Sequence, residues 1–180
     1  MLTIGSKGIA AAIAVTVALT VPVWAQSSRL EGLKLSGDQP INIESDRLEV
    51  RENDKVAVFT GNVNATQGAT LLKAGTLTVY YGGEGAAATG TADIRRIEVA
   101  GKVYVKSNKQ VATGDRGSFD MQSEVLVLSG NEVVLSEGQN VLVGCELVVN
   151  MKTGQARVNS CKNGGGRVKM LVDPKSTNRP

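Results

Sequence analysis

Between residues 41 and 172 apolar and polar side chains alternate in short runs, separated by Gly, Asn, Asp and Ser. Arg47-Leu48-Glu49-Val50, Thr76-Leu77-Thr78-Val79-Tyr80 and Arg96-Ile97-Glu98-Val99 are examples, and Glu124-Val125-Leu126-Val127-Leu128 is another. A period of two turns one face of each run inward, so this spacing predicts consecutive antiparallel strands. Beyond residue 25 no segment carries a sustained helical period, although residues 27–33 could make one turn. The fold class expected is all-β.

One run poses a problem. In Val58-Phe59-Thr60-Gly61-Asn62-Val63-Asn64-Ala65-Thr66-Gln67-Gly68, an extended chain puts Phe59, Val63 and Ala65 on one face. Gly61 falls on that face in mid-strand, where glycine weakens a strand and marks a bulge or a close approach. The same position recurs. A shift of 40 residues places Phe59 on Val99, Gly61 on Gly101, Val63 on Val103, Val79 on Phe119 and Tyr81 on Met121. A further shift of 29 places Gly101 on Gly130, and from there the offset is 30, matching Gly114 to Gly144, Phe119 to Val149 and Met121 to Met151. The added residue falls near Glu132 and fits a β-bulge. Residues 82–93 read as a loop inserted in the first interval, and Ser45, Leu48 and Val50 are a fainter earlier copy. Each unit of about 30 residues buries its apolar face only against its neighbours. The recurrent glycines are expected either to leave space on an inner face or to permit a sharp bend.

An open stack leaves an exposed strand at each end. Residues 41–43 and 168–172 are the strands expected there. Arg167 and Lys169 are placed to silence the second edge, and strand addition to a partner is the alternative.

Composition narrows the picture. Lys7, the apolar stretch 8–21 and Val23-Trp24-Ala25 read as a signal peptide over 1–25, with a retained anchor as the competing reading. The mature chain then starts at Gln26, with a lead segment 26–38, a β domain 39–172 and a disordered tail 173–180. It keeps 19 basic and 17 acidic residues, scattered along the chain, a balance that argues against nucleic acid as partner. Only Phe59, Tyr80, Tyr81, Tyr104 and Phe119 remain as aromatics, too few for the platforms of a carbohydrate-binding module. The absence of histidine removes Ser-His-Asp, Cys-His and His-metal chemistry.

Cys145 and Cys161 flank residues 148–158, which read as a hairpin turning over Lys152-Thr153-Gly154. In that register the two cysteines face each other, and an exported protein meets an oxidising compartment, so a disulfide is expected. Glu44 with Asp46, and Asp115 with Asp120, are the acidic pairs a glycan-active enzyme would need. Their places beside bends and strand ends favour a structural use instead. Ligand capture between apolar faces and a dry, self-packed core both remain open on composition.

Gln39-Pro40-Ile41-Asn42-Ile43-Glu44-Ser45-Asp46, followed by the run from Val58 to Gly68, resembles the OstA-like family of periplasmic lipopolysaccharide-transport proteins. Leu128-Ser129-Gly130-Asn131-Glu132 and Gly144-Cys145-Glu146-Leu147-Val148 resemble that family's later repeats, so the similarity covers 39–172. The resemblance implies an open twisted β-jelly roll that carries lipopolysaccharide between two membranes without catalysis or cofactor. It also implies head-to-tail homo-oligomers formed by strand addition, an LptC-like partner at the N-terminal edge and an LptD-like partner at the C-terminal edge. Ile41 and Ile43 match the family's lipid-lining I-x-I strand, and Phe119 with Met121 match a lipid-facing pair. The repeat register extends the groove to Phe59, Val63, Val79, Val99, Val103, Leu128 and Val149. The two cysteines and the lysine-poor tail depart from the family's pattern, which bears on the C-terminal docking contact.

Overall fold

The computed structural model describes residues 39–83, 93–161 and 166–174. The expected signal peptide 1–25 and lead segment 26–38, loop residues 84–92, residues 162–165 and residues 175–180 of the expected tail lie outside the described residues.

Ten strands follow in chain order: β1 (Asn42–Glu44), β2 (Arg47–Arg51), β3 (Val56–Gln67), β4 (Thr70–Gly82), β5 (Asp93–Ser107), β6 (Gln110–Asp120), β7 (Val125–Glu137), β8 (Asn140–Asn150), β9 (Gln155–Asn159) and β10 (Lys169–Leu171). They form one antiparallel sheet in which β3 to β8 pair consecutively. Tight turns at 68–69, 108–109 and 138–139 join three of the hairpins on one rim. The β2–β3, β6–β7 and β8–β9 turns lie at the opposite rim.

Each long strand is broken near its middle, and the β4–β5 ladder shifts a second time between Tyr80 and Tyr81. The ladders shift register between Thr60 and Val63, Ala100 and Val103, and Ser129 and Val133. On the returning strands the same breaks fall between Lys73 and Thr76 and between Thr113 and Arg116. The outgoing strand always has the surplus residues, so it bulges and bends with added twist. Gly61 and Gly101 lie at these bends with φ of 82° and 84°, and Asn62 and Lys102 follow them with positive φ as well. A Cβ on Gly101 would stand 3.2 Å from the Gly75 backbone, and one on Gly61 would strike the Asp46 side chain. Of the two readings of these glycines the bend is therefore the right one; the space beside them is filled. The longest bulge, Gly130-Asn131-Glu132, contains the extra residue that the sequence offset locates near Glu132.

The bends divide the sheet into two halves. β2 and β9 flank the half containing Val56–Thr60 of β3 and Glu146–Asn150 of β8. β1 and β10 flank the other half, pairing Asn64–Thr66 and Val141–Val143. Leu147 and Val149 are fully buried, and Val63, Leu128 and Val133 are 1 % exposed. A sheet face reaches such burial only when another layer covers it, and no α-helix occurs among the described residues. The sheet covers itself: residues of both halves belong to a single apolar cluster. This is an open β-jelly roll, as the strand pattern and the resemblance led one to expect.

Two details depart from the sequence reading. The β8–β9 register pairs Glu146 with Asn159, so the turn centres between Lys152 and Thr153 and Cys145 stands opposite Ser160. The bridge to Cys161 is nonetheless made, with the Cα atoms 5.0 Å apart, because Cys161 lies just past the end of β9 and leaves the ladder. The last strand is also shorter than the alternation of 167–172 suggests, since only Lys169–Leu171 reach β8.

Candidate functional site

The inner face is built of cross-strand rows that run perpendicular to the strands. One row passes through Phe59, Leu77, Val99, Gly117, Leu128, Leu147 and Val158, each paired with the next. A second passes through Ala57, Val79, Ile97, Phe119, Leu126, Val149 and Ala156. On the other half of the sheet, Ile43, Ala65, Leu72, Val105, Ala112, Leu135, Leu142 and Met170 form a third. Adjacent side chains in such a row pack directly, which is how an antiparallel sheet stabilises one face. Large and small residues are complementary here: Leu128 fills the room over its partner Gly117 and over Gly114 on the same strand, where a Cβ would come within 3.3 and 2.9 Å of it.

The positions nominated by the sequence fall on this face. Val63, Val79, Val99, Val103, Phe119, Leu128 and Val149 are buried, and Ile41, Ile43, Phe59 and Met121 are half-buried and packed against the cluster or its margin. Leu77, Ile97 and Leu147 occupy equivalent inner places and were not nominated. Their signal was present in the alternation itself, since each is one register step from a nominated residue. Also unrecognised was a polar inner row next to the hairpin rim, where Gln67, Thr70, Ser107 and Gln110 are buried.

The outer face carries a depression of about 320 Å³ lined by Thr76, Thr78, Arg96, Glu98, Arg116 and Ser118 among others. Arg96 pairs with Glu98 at 2.8 Å, and the Tyr80 hydroxyl donates to the same carboxylate at 3.1 Å. That hydrogen bond, then partial burial, raises the Tyr80 pKa above the ordinary phenol value. These groups are engaged with one another on an exposed surface.

The acidic pairs serve the chain's bends. Asp46 accepts from Asn62 Nδ2 at 2.9 Å, and Asp115 accepts from the Asn131 backbone N–H at 2.8 Å. Asp120 accepts from the Ser123 N–H and hydroxyl at 2.8 and 2.7 Å, closing the turn between β6 and β7. Among the described residues no group of three or more His, Cys, Asp and Glu is placed to hold a metal ion.

The two ends of the sheet are unlike its middle. β1 with β2, and β9 with β10, are short strands whose outward sides face no partner strand among the described residues. Met170 and Leu171 on β10 are 70 % and 64 % exposed, and Leu48 on β2 is 52 % exposed.

Comparison with known proteins fits this architecture. Residues 42–155 match the model of the family described as LptA/(LptD N-terminal domain) LPS transport protein. An uncharacterized protein of Rhizobium meliloti is 52 % identical over 153 residues, covering 84 % of this chain and 81 % of that protein. The lipopolysaccharide export system protein LptA of Haemophilus influenzae is 28 % identical over 157 residues, covering 87 % and 89 %. In shape the chain resembles the crystal structure of Pseudomonas aeruginosa LptH, the LptA homologous periplasmic component of the lipopolysaccharide transport device. The TM-score is 0.63 at 20 % identity, over 77 % of this chain and 98 % of that one. Strand order, repeat spacing and the match over 42–155 together show that the chain belongs to the LptA/(LptD N-terminal domain) LPS transport protein family.

Proposed function

We propose that this chain is a non-enzymatic periplasmic carrier of lipopolysaccharide that shields acyl chains on its inner face and joins neighbours through its end strands. The observation that carries the reading is the continuity of the inner apolar rows from one open edge of the sheet to the other. An acyl chain leaving water gains about 0.8 kcal/mol per methylene, so a multi-chain lipid needs such cover throughout a crossing. Rows of similar apolar side chains offer repeated sites of similar depth, which allows movement without a trap. Strand addition at β1 and β2, and at β9 and β10, would continue those rows into the next protein. An LptC-like partner suits the first edge, an LptD-like partner the last, and copies of this chain both, head to tail.

The inner side chains pack on one another, so cargo would enter by parting the two halves. Ile41, Ile43, Phe59 and Met121, half-buried at the margin, are the groove positions that it would meet first. Ile43→Asp therefore tests the groove better than Phe119→Asp, because Phe119 is 3 % exposed and a buried carboxylate there would unfold the domain. Ile43→Asp should abolish lipopolysaccharide co-purification with circular dichroism unchanged. A photo-crosslinker at Ile43 should capture lipid in cells, and one at outward-facing Lys73 should not. Undiminished lipid binding by Ile43→Asp, with no lipid crosslink, overturns the groove assignment.

Near-complete burial of Leu128, Leu147 and Val149 favours one other reading, a secreted structural or adhesive β-repeat protein with a self-packed core. Such a protein would yield no lipid on organic extraction.

A further inference from the structure

The inner face is not apolar throughout. Next to the rim of tight turns, one complete row is polar: Gln67, Thr70, Ser107, Gln110, Glu137 and Asn140 follow one another in register across six strands. The Thr70 and Ser107 hydroxyls share a hydrogen bond of 2.9 Å, and Gln110 Nε2 donates to Glu137 Oε2 at 3.0 Å. The row is tied off at both ends of the sheet. Gln67 Nε2 donates to the Gln39 carbonyl at 2.8 Å, and the Asp173 N–H donates to Asn140 Oδ1 at 2.9 Å. It thus spans the six central strands, parallel to the apolar rows behind it.

Among the described residues the opposite rim has no such row. There the corresponding inner places hold Tyr81 and Ile94, paired in register, and Met121 and Met151 in the turns that follow β6 and β8. The mouth of the folded sheet accordingly has one hydrogen-bonding lip and one apolar lip. Burial makes the polar lip costly unless its groups are paired. One is not: Gln110 Oε1 accepts no hydrogen bond from any described residue, although Gln110 is 6 % exposed. Its amide nitrogen is committed to Glu137, so the amide orientation is set and the oxygen is left as an acceptor on the inner face.

We propose that this row is a subsite for the hydrogen-bond-donating part of an amphiphile, its hydroxyl or amide N–H groups, with Gln110 Oε1 as the acceptor. The acyl chains of the same molecule lie on the apolar rows toward the bends. The proposal rests on the groove reading above and adds to it an orientation: polar part at the 68–69, 108–109 and 138–139 turns, tails inward.

Two amphiphiles with the same dodecyl tail separate the subsite from the groove. Dodecyl maltoside carries donor hydroxyls, whereas dodecyldimethylamine oxide at mildly alkaline pH carries none. Each is titrated calorimetrically, below micelle formation, into the full mature chain and into Gln110→Met, which keeps side-chain length and removes the amide. Loss of one acceptor should weaken dodecyl maltoside about fivefold to tenfold and leave the amine oxide unchanged. Ser107→Ala, a smaller change in the same row, should discriminate in the same direction and serves if Gln110→Met does not fold. Equal weakening of both amphiphiles, or no change in their ratio in either variant, overturns the subsite while the groove stands. Binding of neither amphiphile by the unsubstituted chain overturns the groove reading and the subsite with it.

Discussion

Cys145 and Cys161 are bridged across a ladder in which they are one residue out of register, Cys145 lying opposite Ser160. The bond therefore fastens the segment beyond β9 rather than two facing ladder positions. That segment precedes β10, which returns to the other half of β8. The bridge ties that segment to β8, between the part of β8 that pairs with β9 and the part that pairs with β10.

Closing a loop of 16 residues removes unfolded-state entropy equivalent to about 3 kcal/mol. The double substitution Cys145→Ser, Cys161→Ser should lower stability by about that amount in denaturant titration. Hydrogen exchange should accelerate first in β9 and β10, with β4 to β6 least affected.

Gly101 and Gly138 both have positive φ, yet only Gly101 is crowded. A Cβ on Gly101 meets the Gly75 backbone at 3.2 Å, while nothing lies within 4 Å of one on Gly138. Gly138→Ala should cost about 1 kcal/mol from backbone conformation alone. Gly101→Ala should cost more, about 2–3 kcal/mol, since the two bent strands must also move apart. Thermal unfolding of the two variants side by side measures the difference.

Leu128 and Gly114 are complementary in volume. Leu128→Ala should cost about 2–5 kcal/mol through the cavity left in a closed inner face. Gly114→Ala alone overpacks the same site and should cost about 1–3 kcal/mol. The two together should cost less than their sum, because the methyl added at 114 enters the space that Leu128→Ala vacates. Additive costs in a double-mutant cycle would show that the residues do not share one packing site.

Asp120 has its pKa lowered from 3.8, first by the Ser123 backbone N–H and then by the Ser123 hydroxyl. A carboxylate with a depressed folded-state pKa stabilises the fold above its unfolded pKa, and the contribution disappears as pH falls through the folded value. Asp120→Asn keeps an acceptor and loses the charge. The stability gap between wild type and this variant should be full near neutral pH and close below the ordinary carboxylate value. A gap independent of pH would assign the effect to geometry alone.

Much of the fold is legible in the alternation of residues. Val79, Val99, Phe119, Leu128 and Val149 fall on the inner face because a pleated strand turns every second side chain the same way. The recurrence of Gly61, Gly101 and Gly130 locates the bends for a similar reason, since a bulge needs surplus residues at a fixed place in each repeat. The cysteine register, by contrast, was misjudged by one residue, because a hairpin's turn type is set by backbone geometry that spacing does not reveal.

Local sequence was enough for the consecutive strand order, the inner apolar positions, the places of the recurrent glycines and the likeness to a family. These depend on periodicity two and on neighbours in the chain, and consecutive antiparallel pairing keeps sequence neighbours adjacent in space. Only the folded sheet decided what covers the inner face, how each end is finished by two short strands, and that Gln67, Thr70, Ser107 and Gln110 line one lip. A polar residue at an inner register position reads in sequence as the end of a strand. It becomes a buried hydrogen-bonding row only when both halves close over it and every strand contributes at the same level.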